Sequence, residues 1–344
     1  MGRQKTCFGR FFVGYIIAMI YNLDALSYHS ARIYLTQWFY DDVMVIIDSE
    51  TLPLRNELYR DRGDQTEIQR LQKLIEQHPI KKHVIDVSHN VFPVHTLQTD
   101  LNRPILTNDC KYYYQPCKGI IFFPIFLWAF SLRNPLWWHM FSFDAGSQKT
   151  REIMCLNNRP RWHRTWLWAE FNRRNVIEMM LYSFSNLESN STLYNYPYPL
   201  LLPGEKLDSL RNDIGVDLKI YHDTAVNLVT ETSVDDIFLT EKTCKPFMAR
   251  QIPIIVCGAG TNKFLADIGL DMFEDIVPWQ SWDSDSNNQS RLEQIASFVD
   301  WWVRSGTIMG TYQDLLPRIE RNKQYFHSEA FRQHIMTQMN QFKF

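Results

Sequence analysis

Short apolar runs alternate with amphipathic stretches along the first third of the chain. The runs "VMVIID" (Val43–Asp48) and "HVIDV" (His83–Val87) are rich in β-branched residues, which is typical of strands buried on both faces. Helices are predicted over "SYHSARIYLTQWFY" (Ser27–Tyr40) and "DQTEIQRLQKLIEQHP" (Asp64–Pro79), the second ending at its proline. This alternation predicts an α/β fold with a doubly wound parallel sheet.

The second half of the chain repeats the alternation. Strands are predicted over "REIMCLNN" (Arg151–Asn158), "VNLVTET" (Val226–Thr232) and "IPIIVCG" (Ile252–Gly258). Helices are predicted over Arg161–Val176, over Ser290–Gly306 and from Tyr325 onward. Between them and the first third, "GIIFFPIFLWAFSL" predicts a strand, a kink at Pro124 and a helix. The chain therefore contains two successive α/β units.

The division into two domains follows from length and from one polar stretch. A chain of 344 residues exceeds one ordinary hydrophobic core. The small polar residues at Gly146–Thr150 predict a boundary, with an N-terminal domain over residues 1–147 and a C-terminal domain over 148–344. Two such units would face each other across a cleft. Ligands would bind beyond the carboxyl ends of the strands.

Composition narrows the class of protein and its compartment. The formal net charge of −2 gives no basic field for nucleic acid, so no nucleic-acid partner is expected. The six cysteines show neither a CxxC pair nor zinc-ligand spacing, which favours a reducing compartment such as the cytoplasm. The 11 tryptophans would suit either sugar-binding clefts or cores, and we expect cores for most of them.

The N-terminus resembles a signal or anchor segment, since the basic "MGRQKTCFGR" precedes the apolar Phe11–Tyr21. That run is about half of the roughly 20 residues that span a bilayer. We therefore expect a buried strand over Phe11–Ile20, no stable membrane span, and a soluble protein.

Polar residues after the predicted strands are the candidates for chemistry. Glu50 follows the first run and would be either a general base or a turn acid. Arg161, His163 and Arg164 open a helix, where the dipole disfavours cations by about 0.3–1 kcal/mol each unless an anion is bound. Phosphate would compensate these charges, whereas the alternative is a solvated basic face.

The segment "DDIFLTEKTCKPFMARQIPIIVCGAG" places an acid beside a base, Glu241 and Lys242, before a strand. Pro246 is expected near the first turn of the intervening helix, where its missing N–H is tolerated. Glu241 could accept hydrogen bonds from ribose hydroxyls, and Lys242 could neutralise a diphosphate. Alternatively, both are solvated charges of a helix start.

The order of these segments resembles the fucosyltransferase-like glycosyltransferases of the GT-B type. Those enzymes carry a pattern like "FENS…Y-V-T-E-K…A…G-x-x-P-I-Y-x-G", which "VTETSVDDIFLTEKTCKPFMARQIPIIVCG" resembles. Upstream they carry Ser-Asn and then a helix-opening Arg, as "NNRPRWHR" does through Asn158 and Arg164. Their Gly-Glu-Asn-x-x-Pro turn resembles "DSETLP", through Glu50 and Pro53. Uncharacterised phage, giant-virus and bacterial relatives of that family also look similar.

This resemblance implies a GT-B-like fold of two Rossmann-like domains, the N-terminal one binding the acceptor and the C-terminal one a GDP- or UDP-linked sugar. It implies an inverting, metal-independent transfer, with fucose as one candidate sugar, to a glycan or another hydroxyl acceptor. Glu50 would be the base, and Arg164 and Lys242 would hold the diphosphate. The other implied substrate-binding residues are Asn158, Glu231, Thr232, Phe238 and Glu241. Thr232 stands where the family has Asn, and Phe238 where it has Tyr.

Two rival functions remain open at this point. "WDSDSNN" offers Asp283 and Asp285 as a metal-binding pair for a metal-dependent transferase, although it is predicted to be a loop without a preceding strand. The second rival is a non-catalytic glycan-binding or structural protein that uses a transferase-like fold. No cofactor other than the nucleotide-sugar substrate is expected.

Overall fold

The structure is a computed structural model that describes residues 43–47, 83–86, 105–107, 120–122, 124, 127, 131, 149–157, 160–184 and 218–340. Within these residues the chain is a mixed α/β protein with two four-stranded parallel sheets. The predicted α/β class and the parallel pairing are confirmed. How the two units face each other stays a prediction.

The first sheet has the strand order β1-β2-β3-β4. Its strands are β1 (Val43–Ile47), β2 (His83–Asp86), β3 (Ile105–Thr107) and β4 (Ile120–Phe122). The predicted strands at Val43 and His83 are confirmed. β4 lies near the start of "GIIFFPIFLWAFSL", where a strand was also predicted. β3 was not predicted, because its three residues are too short to show a period. The elements predicted within residues 11–40 and 64–79 lie outside the described residues.

The second sheet has the order β6-β5-β7-β8. Its strands are β5 (Arg151–Asn157), β6 (Leu181–Phe184), β7 (Thr224–Thr230) and β8 (Ile252–Val256). The three strands predicted here are confirmed. The sequence analysis missed β6, and it placed both ends of β7 two residues too far along the chain.

The second sheet is covered on both faces, as a doubly wound unit requires. Every residue of β7 is buried. On β5, Ile153 and Cys155 join the main core, whereas Met154 packs with Tyr221 and Ala249 in a second cluster. Since successive strand residues point to opposite faces, apolar groups lie on both sides of β5.

Helices follow these strands and continue to the end of the described chain. Their bounds are α1 (Trp162–Arg173), α2 (Leu218–Asp223), α3 (Glu241–Met248), α4 (Thr261–Asp267), α5 (Trp279–Asp283), α6 (Asn288–Ser305), α7 (Ile308–Phe326) and α8 (Glu329–Asn340). A short 3₁₀ helix covers Ile177–Met179. The predicted α1 and α6 are confirmed. Asn287 caps the start of α6, and Gly306 ends it with a φ of 63°.

Two boundary predictions were wrong. The last helix does not begin at Tyr325, because α7 continues to Phe326 and a new helix begins after Ser328, whose Oγ accepts the N–H of Phe331 at 3.1 Å. Pro246 lies in the second turn of α3 rather than in the first, since the helix already begins at Glu241. The placement of Glu241 and Lys242 at the helix start is confirmed.

The tryptophans mostly support the core expectation. Those buried in the second unit are Trp168, Trp279, Trp282 and Trp302, whereas Trp162 and Trp301 are 37% and 62% exposed. In the described part of the chain, no helix has the length and apolar character to cross a membrane. The segment Phe11–Tyr21 lies outside that part. The two sheets lie on either side of residue 147 in sequence, and the domain boundary itself stays a prediction.

Candidate functional site

The candidate site lies where the two central strands of the second sheet end. The chain leaves β5 through α1 toward β6 on one side, and leaves β7 through α3 toward β8 on the other. Such a reversal between neighbouring parallel strands opens a crevice at their carboxyl ends. Residues that follow β5 and β7 are therefore close together at the point where ligands of such sheets bind.

The ends of β5 and β7 are joined by side chains. Thr230 Oγ1 donates to Asn157 Oδ1, and Asn157 Nδ2 lies 3.4 Å from the Sγ of Cys155. Thr230 and Asn157 are 2% and 4% exposed. These buried polar groups hydrogen-bond one another, so the carboxyl ends of β5 and β7 are held together below the crevice.

The start of α1 is basic and has no side-chain cap. Arg161 occupies the N-cap position without capping the helix, and the first turn has no acidic residue. Arg164 is 3% exposed, and its Nη2 donates to the carbonyls of Thr230 and Glu231 at 2.9 and 3.0 Å. His163 Nε2 lies 3.0 Å from the Glu231 carbonyl, which can only accept, so Nε2 carries the proton. The start of α1 is thus fixed to the end of β7.

Burial at this helix start disfavours positive charge. Burial is the main cause that lowers the pKa of His163 to about 3, and the nearby charges of Arg164 and Arg161 contribute to that shift. Burial also lowers the pKa of Arg164 to about 10, although the negative charge of Glu231 opposes that shift. At neutral pH, His163 is therefore neutral and Arg164 is charged.

The start of α3 surrounds a buried carboxylate. Glu231 is fully buried, and its Oε1 accepts the N–H groups of Thr240 and Thr243 at 3.0 and 3.3 Å. The hydroxyls of Thr240 and Thr243 add bonds of 2.7 Å to Oε2 and 2.6 Å to Oε1. A negative charge is stabilised at the N-terminus of a helix. Here the chain itself supplies that charge, and it occupies these main-chain donors.

The predicted acid–base pair lies beside this carboxylate. Lys242 Nζ donates to Glu241 Oε1 at 2.9 Å and to Thr240 Oγ1 at 3.1 Å. Burial tends to raise the pKa of Glu241, but Lys242 and Lys245 together hold it at about 2. The side chain of Lys242 is 24% exposed and that of Glu241 only 7%. Lys242 is therefore the more accessible member of the pair.

The loop of residues 231–240, between β7 and α3, is fixed from the side of β8. Gly258 donates its N–H to the Asp236 carbonyl at 3.2 Å, and a Cβ at Gly258 would lie 2.3 Å from the Asp236 carbonyl carbon. Only glycine fits this approach. From α6, the buried Arg291 donates to the carbonyl of Val234. The loop that carries the candidate residues is therefore held from both of its sides.

The structure brings four of the predicted residues together. The main-chain carbonyl of Glu231 binds α1 through Arg164, and its carboxylate binds the start of α3, where Glu241 and Lys242 lie. Thr232 is half-buried in the same loop.

The remaining predicted residues are Phe238, Glu50 and Asn158. Phe238 is 2% exposed, and its N–H lies 3.4 Å from the Sγ of Cys257. Its contact with a nucleotide stays a prediction. Glu50 and Asn158 lie outside the described residues.

The sequence analysis missed Thr240 and Thr243. Both hydroxyls bind Glu231, and Thr240 also caps α3 through the N–H of Lys242. A Thr before a helix start is a recognised cap signal that could have identified Thr240. Its partner Glu231 could not be identified in this way, because the loop between them determines which acid reaches the cap.

Asp283 and Asp285 hold main-chain N–H groups at turns and helix starts. Asp283 accepts the N–H groups of Asn262 and Lys263, each at 2.9 Å, at the start of α4. Asp285 accepts the N–H of Asn287 at 2.8 Å before α6. These bonds account for both carboxylates without a ligand. Within the described ranges, no three His, Cys, Asp or Glu side chains are grouped as metal ligands.

Comparisons with known proteins add little to this geometry. No family model matches the chain, and no curated protein matches it. A solved structure titled "Crystal Structure of alpha1,3-Fucosyltransferase" is similar over 88% of this chain and 90% of its own, with 11% sequence identity and a TM-score of 0.38. A likeness of this size carries no argument about function, which therefore rests on the residues of the site.

Proposed function

We propose that this chain is a glycosyltransferase that moves a sugar from a nucleoside diphosphate to a hydroxyl group of a glycan or another acceptor. One observation carries the proposal. Where β5 and β7 end, Glu231 accepts hydrogen bonds from both helix starts. Its main-chain carbonyl binds the basic start of α1, and its carboxylate binds the start of α3, where Glu241 and Lys242 lie. A ligand that contains both phosphate and ribose matches the cations Arg164 and Lys242 and the carboxylate of Glu241. The motif order described above favours the same donor class.

The geometry supports different roles for the two predicted phosphate ligands. Lys242 is partly exposed and would contact the diphosphate directly. Arg164 is buried and binds two main-chain carbonyls, so it would fix the crevice and add positive potential from below. Glu241 is ionised at neutral pH, because its pKa is about 2, and would accept hydrogen bonds from ribose hydroxyls.

The proposed reaction is an inverting displacement between two facing Rossmann-like domains. Glu50 would remove the proton of the acceptor hydroxyl, whose oxygen forms a bond to the anomeric carbon as the bond to the diphosphate breaks on the opposite face. Lys242 would stabilise the charge of the departing diphosphate, more in the transition state than in the ground state. Side chains supply this charge, so the proposal includes no metal. GDP-fucose is one candidate donor, and UDP-linked sugars are the others.

The first test is thermal stabilisation of the full chain by GDP, UDP and their sugar conjugates. A ligand at 100 times its dissociation constant adds about 2.7 kcal/mol to the free energy of unfolding. We expect Lys242→Ala to lose most of this gain. Lys263→Ala is the matched control, because Lys263 is an exposed lysine at the start of α4 that pairs with Asp267.

The outcomes separate the candidate functions. A shift with GDP alone or UDP alone names the donor class, and sugar transfer in the presence of a chelator would support the metal-independent reaction. No shift with any nucleotide, together with glycan binding and no turnover, would contradict the proposal and favour the non-catalytic alternative.

A further inference from the structure

The hydroxyl of Thr240 has neighbours on two sides. Its Oγ1 lies 2.7 Å from Glu231 Oε2, 3.3 Å from Lys242 N and 3.1 Å from Lys242 Nζ. Thr240 is fully buried, so water does not compete for these bonds. The hydroxyl therefore links a buried carboxylate to a partly exposed ammonium group.

The direction of each bond is determined by chemistry. A main-chain N–H and an ammonium group can only donate, so Thr240 Oγ1 accepts from both atoms of Lys242. Its single proton then points at Glu231 Oε2. The carboxylate thereby holds the hydroxyl in the orientation in which its lone pairs face the lysine.

Lys242 keeps a donor for a ligand in this arrangement. An ammonium group has three N–H donors, and in the described part of the chain two of them bind Thr240 Oγ1 and Glu241 Oε1. The third N–H donor is available to a ligand, because the Lys242 side chain is 24% exposed at the carboxyl edge of the sheet.

We propose that Thr240 is a positioning residue that, oriented by Glu231, holds the ammonium group of Lys242 where it meets the diphosphate. This inference rests on the proposed function and deepens it. Thr240 itself does not touch the substrate. It acts through Lys242, in the same way that outer-shell partners orient the groups that bind a ligand.

Thr243 provides a matched control. Its hydroxyl also binds Glu231, at 2.6 Å, and it is also fully buried, but it makes no hydrogen bond to Lys242. Thr240→Val and Thr243→Val each remove one hydroxyl from the same carboxylate. Only the first removes bonds from Lys242, one from its Nζ and one from its main-chain N–H, and Thr240→Ser restores both.

The test is the affinity for the nucleoside diphosphate that stabilises the unsubstituted protein, measured by calorimetry at a temperature where all variants are folded. Thr240→Val should bind about tenfold more weakly, because a charge-assisted bond that orients the ligand's partner is lost. Thr240→Ser and Thr243→Val should bind within about twofold of the unsubstituted protein, since both keep that bond. Equal weakening by the two valines would overturn the inference and leave the proposed function standing.

A second measurement needs no nucleotide. Reductive methylation of Lys242, followed by peptide mass spectrometry, should be faster in Thr240→Val than in Thr243→Val, because only the first releases the amine from a bond. If the unsubstituted protein binds no nucleotide, the proposed function and the purpose assigned to Thr240 both fail. Equal methylation rates in the two valine variants would show that Thr240 does not hold Lys242 at all.

Discussion

The starts of α1 and α3 both lie at the carboxyl edge of the second sheet, and they carry opposite charges. α3 begins at the cap Thr240, followed by Glu241, with the Glu231 carboxylate on its first N–H groups. α1 has the cations Arg161 and Arg164 at its start, with no acid in its first turn and no side-chain cap. The positive end of a helix favours negative charge, so α3 follows the helix dipole and α1 opposes it.

The difference lies in how each helix start meets its charge. The chain's own acceptors occupy donors at the start of α3, and the pKa of Glu241 remains near 2 despite burial. At α1, burial and neighbouring cations lower the pKa of His163 to about 3. Negative charge is thus stabilised at one helix and positive charge disfavoured at the other. An anion above the crevice would relieve α1 while contacting Lys242.

The largest expected effect comes from removing the residue that both helix starts share. Glu231→Ala removes the buried negative charge that stabilises the Arg164 cation. It also leaves the N–H and hydroxyl donors of Thr240 and Thr243 without their acceptor. We expect the free energy of unfolding to fall by about 3–5 kcal/mol, as when one partner of a buried charge pair is removed. Urea unfolding measures it.

Asp267→Ala is the reference for that measurement. Asp267 pairs with Lys263, and the two side chains are 32% and 59% exposed, so the loss of this pair should cost about 1 kcal/mol or less. Equal losses in the two variants would show that Glu231 does not hold the helix starts together.

The second prediction distinguishes the two helix starts by the pH range in which each one loses its contribution to the free energy of unfolding. The folded pKa of Glu241 is about 2 and its ordinary value is 4.5, so its contribution is present above pH 4.5 and is lost as the pH falls toward 2. The folded pKa of His163 is about 3 and its ordinary value is 6.5. Because the unfolded chain takes up this proton first, the contribution of His163 is lost as the pH falls from 6.5 toward 3.

Two variants should remove these slopes separately. Glu241→Gln should flatten the loss of stability below pH 4.5, and His163→Gln should flatten the loss that begins near pH 6.5. The contribution to the free energy of unfolding is roughly 3 kcal/mol for Glu241 and roughly 5 kcal/mol for His163, since each pKa unit is worth about 1.36 kcal/mol. Unfolding curves between pH 2 and 8 measure them. A single slope that neither variant changes would contradict the contrast between the helix starts.

Most of the second sheet could be predicted from the sequence, because its strands are apolar runs long enough to show their class. β7 and β8 are buried along their whole length, as such runs predict. β6 could not be predicted in this way. It has four residues, "LYSF", after a short 3₁₀ helix, and so little sequence shows no period.

The position of the candidate residues was predictable, but their orientation was not. Arg164, Glu241 and Lys242 come after β5 and β7 along the chain, and the structure places them at the carboxyl edge of the sheet, as that order predicts. That Arg164 turns inward to the main-chain carbonyl of Thr230 depends on how two distant segments meet. A basic helix start predicts either a ligand or a partner within the protein, and only the packed structure shows that carbonyls take part of this role.

The smallest effect tests whether the unfavourable positive charge at the start of α1 serves to bind a ligand. Arg161 occupies the N-cap with φ −111° and ψ 154°, the extended conformation from which a serine could accept an N–H of the first turn. Arg161→Ser should therefore stabilise the free protein by about 0.5–1 kcal/mol and at the same time weaken nucleotide binding. Arg161→Lys separates the two causes, because it keeps the charge without a cap and should change neither property much. Thermal unfolding with and without nucleotide measures both. A serine variant that gained in stability and bound nucleotide unchanged would show that the basic start of α1 has no part in holding an anion.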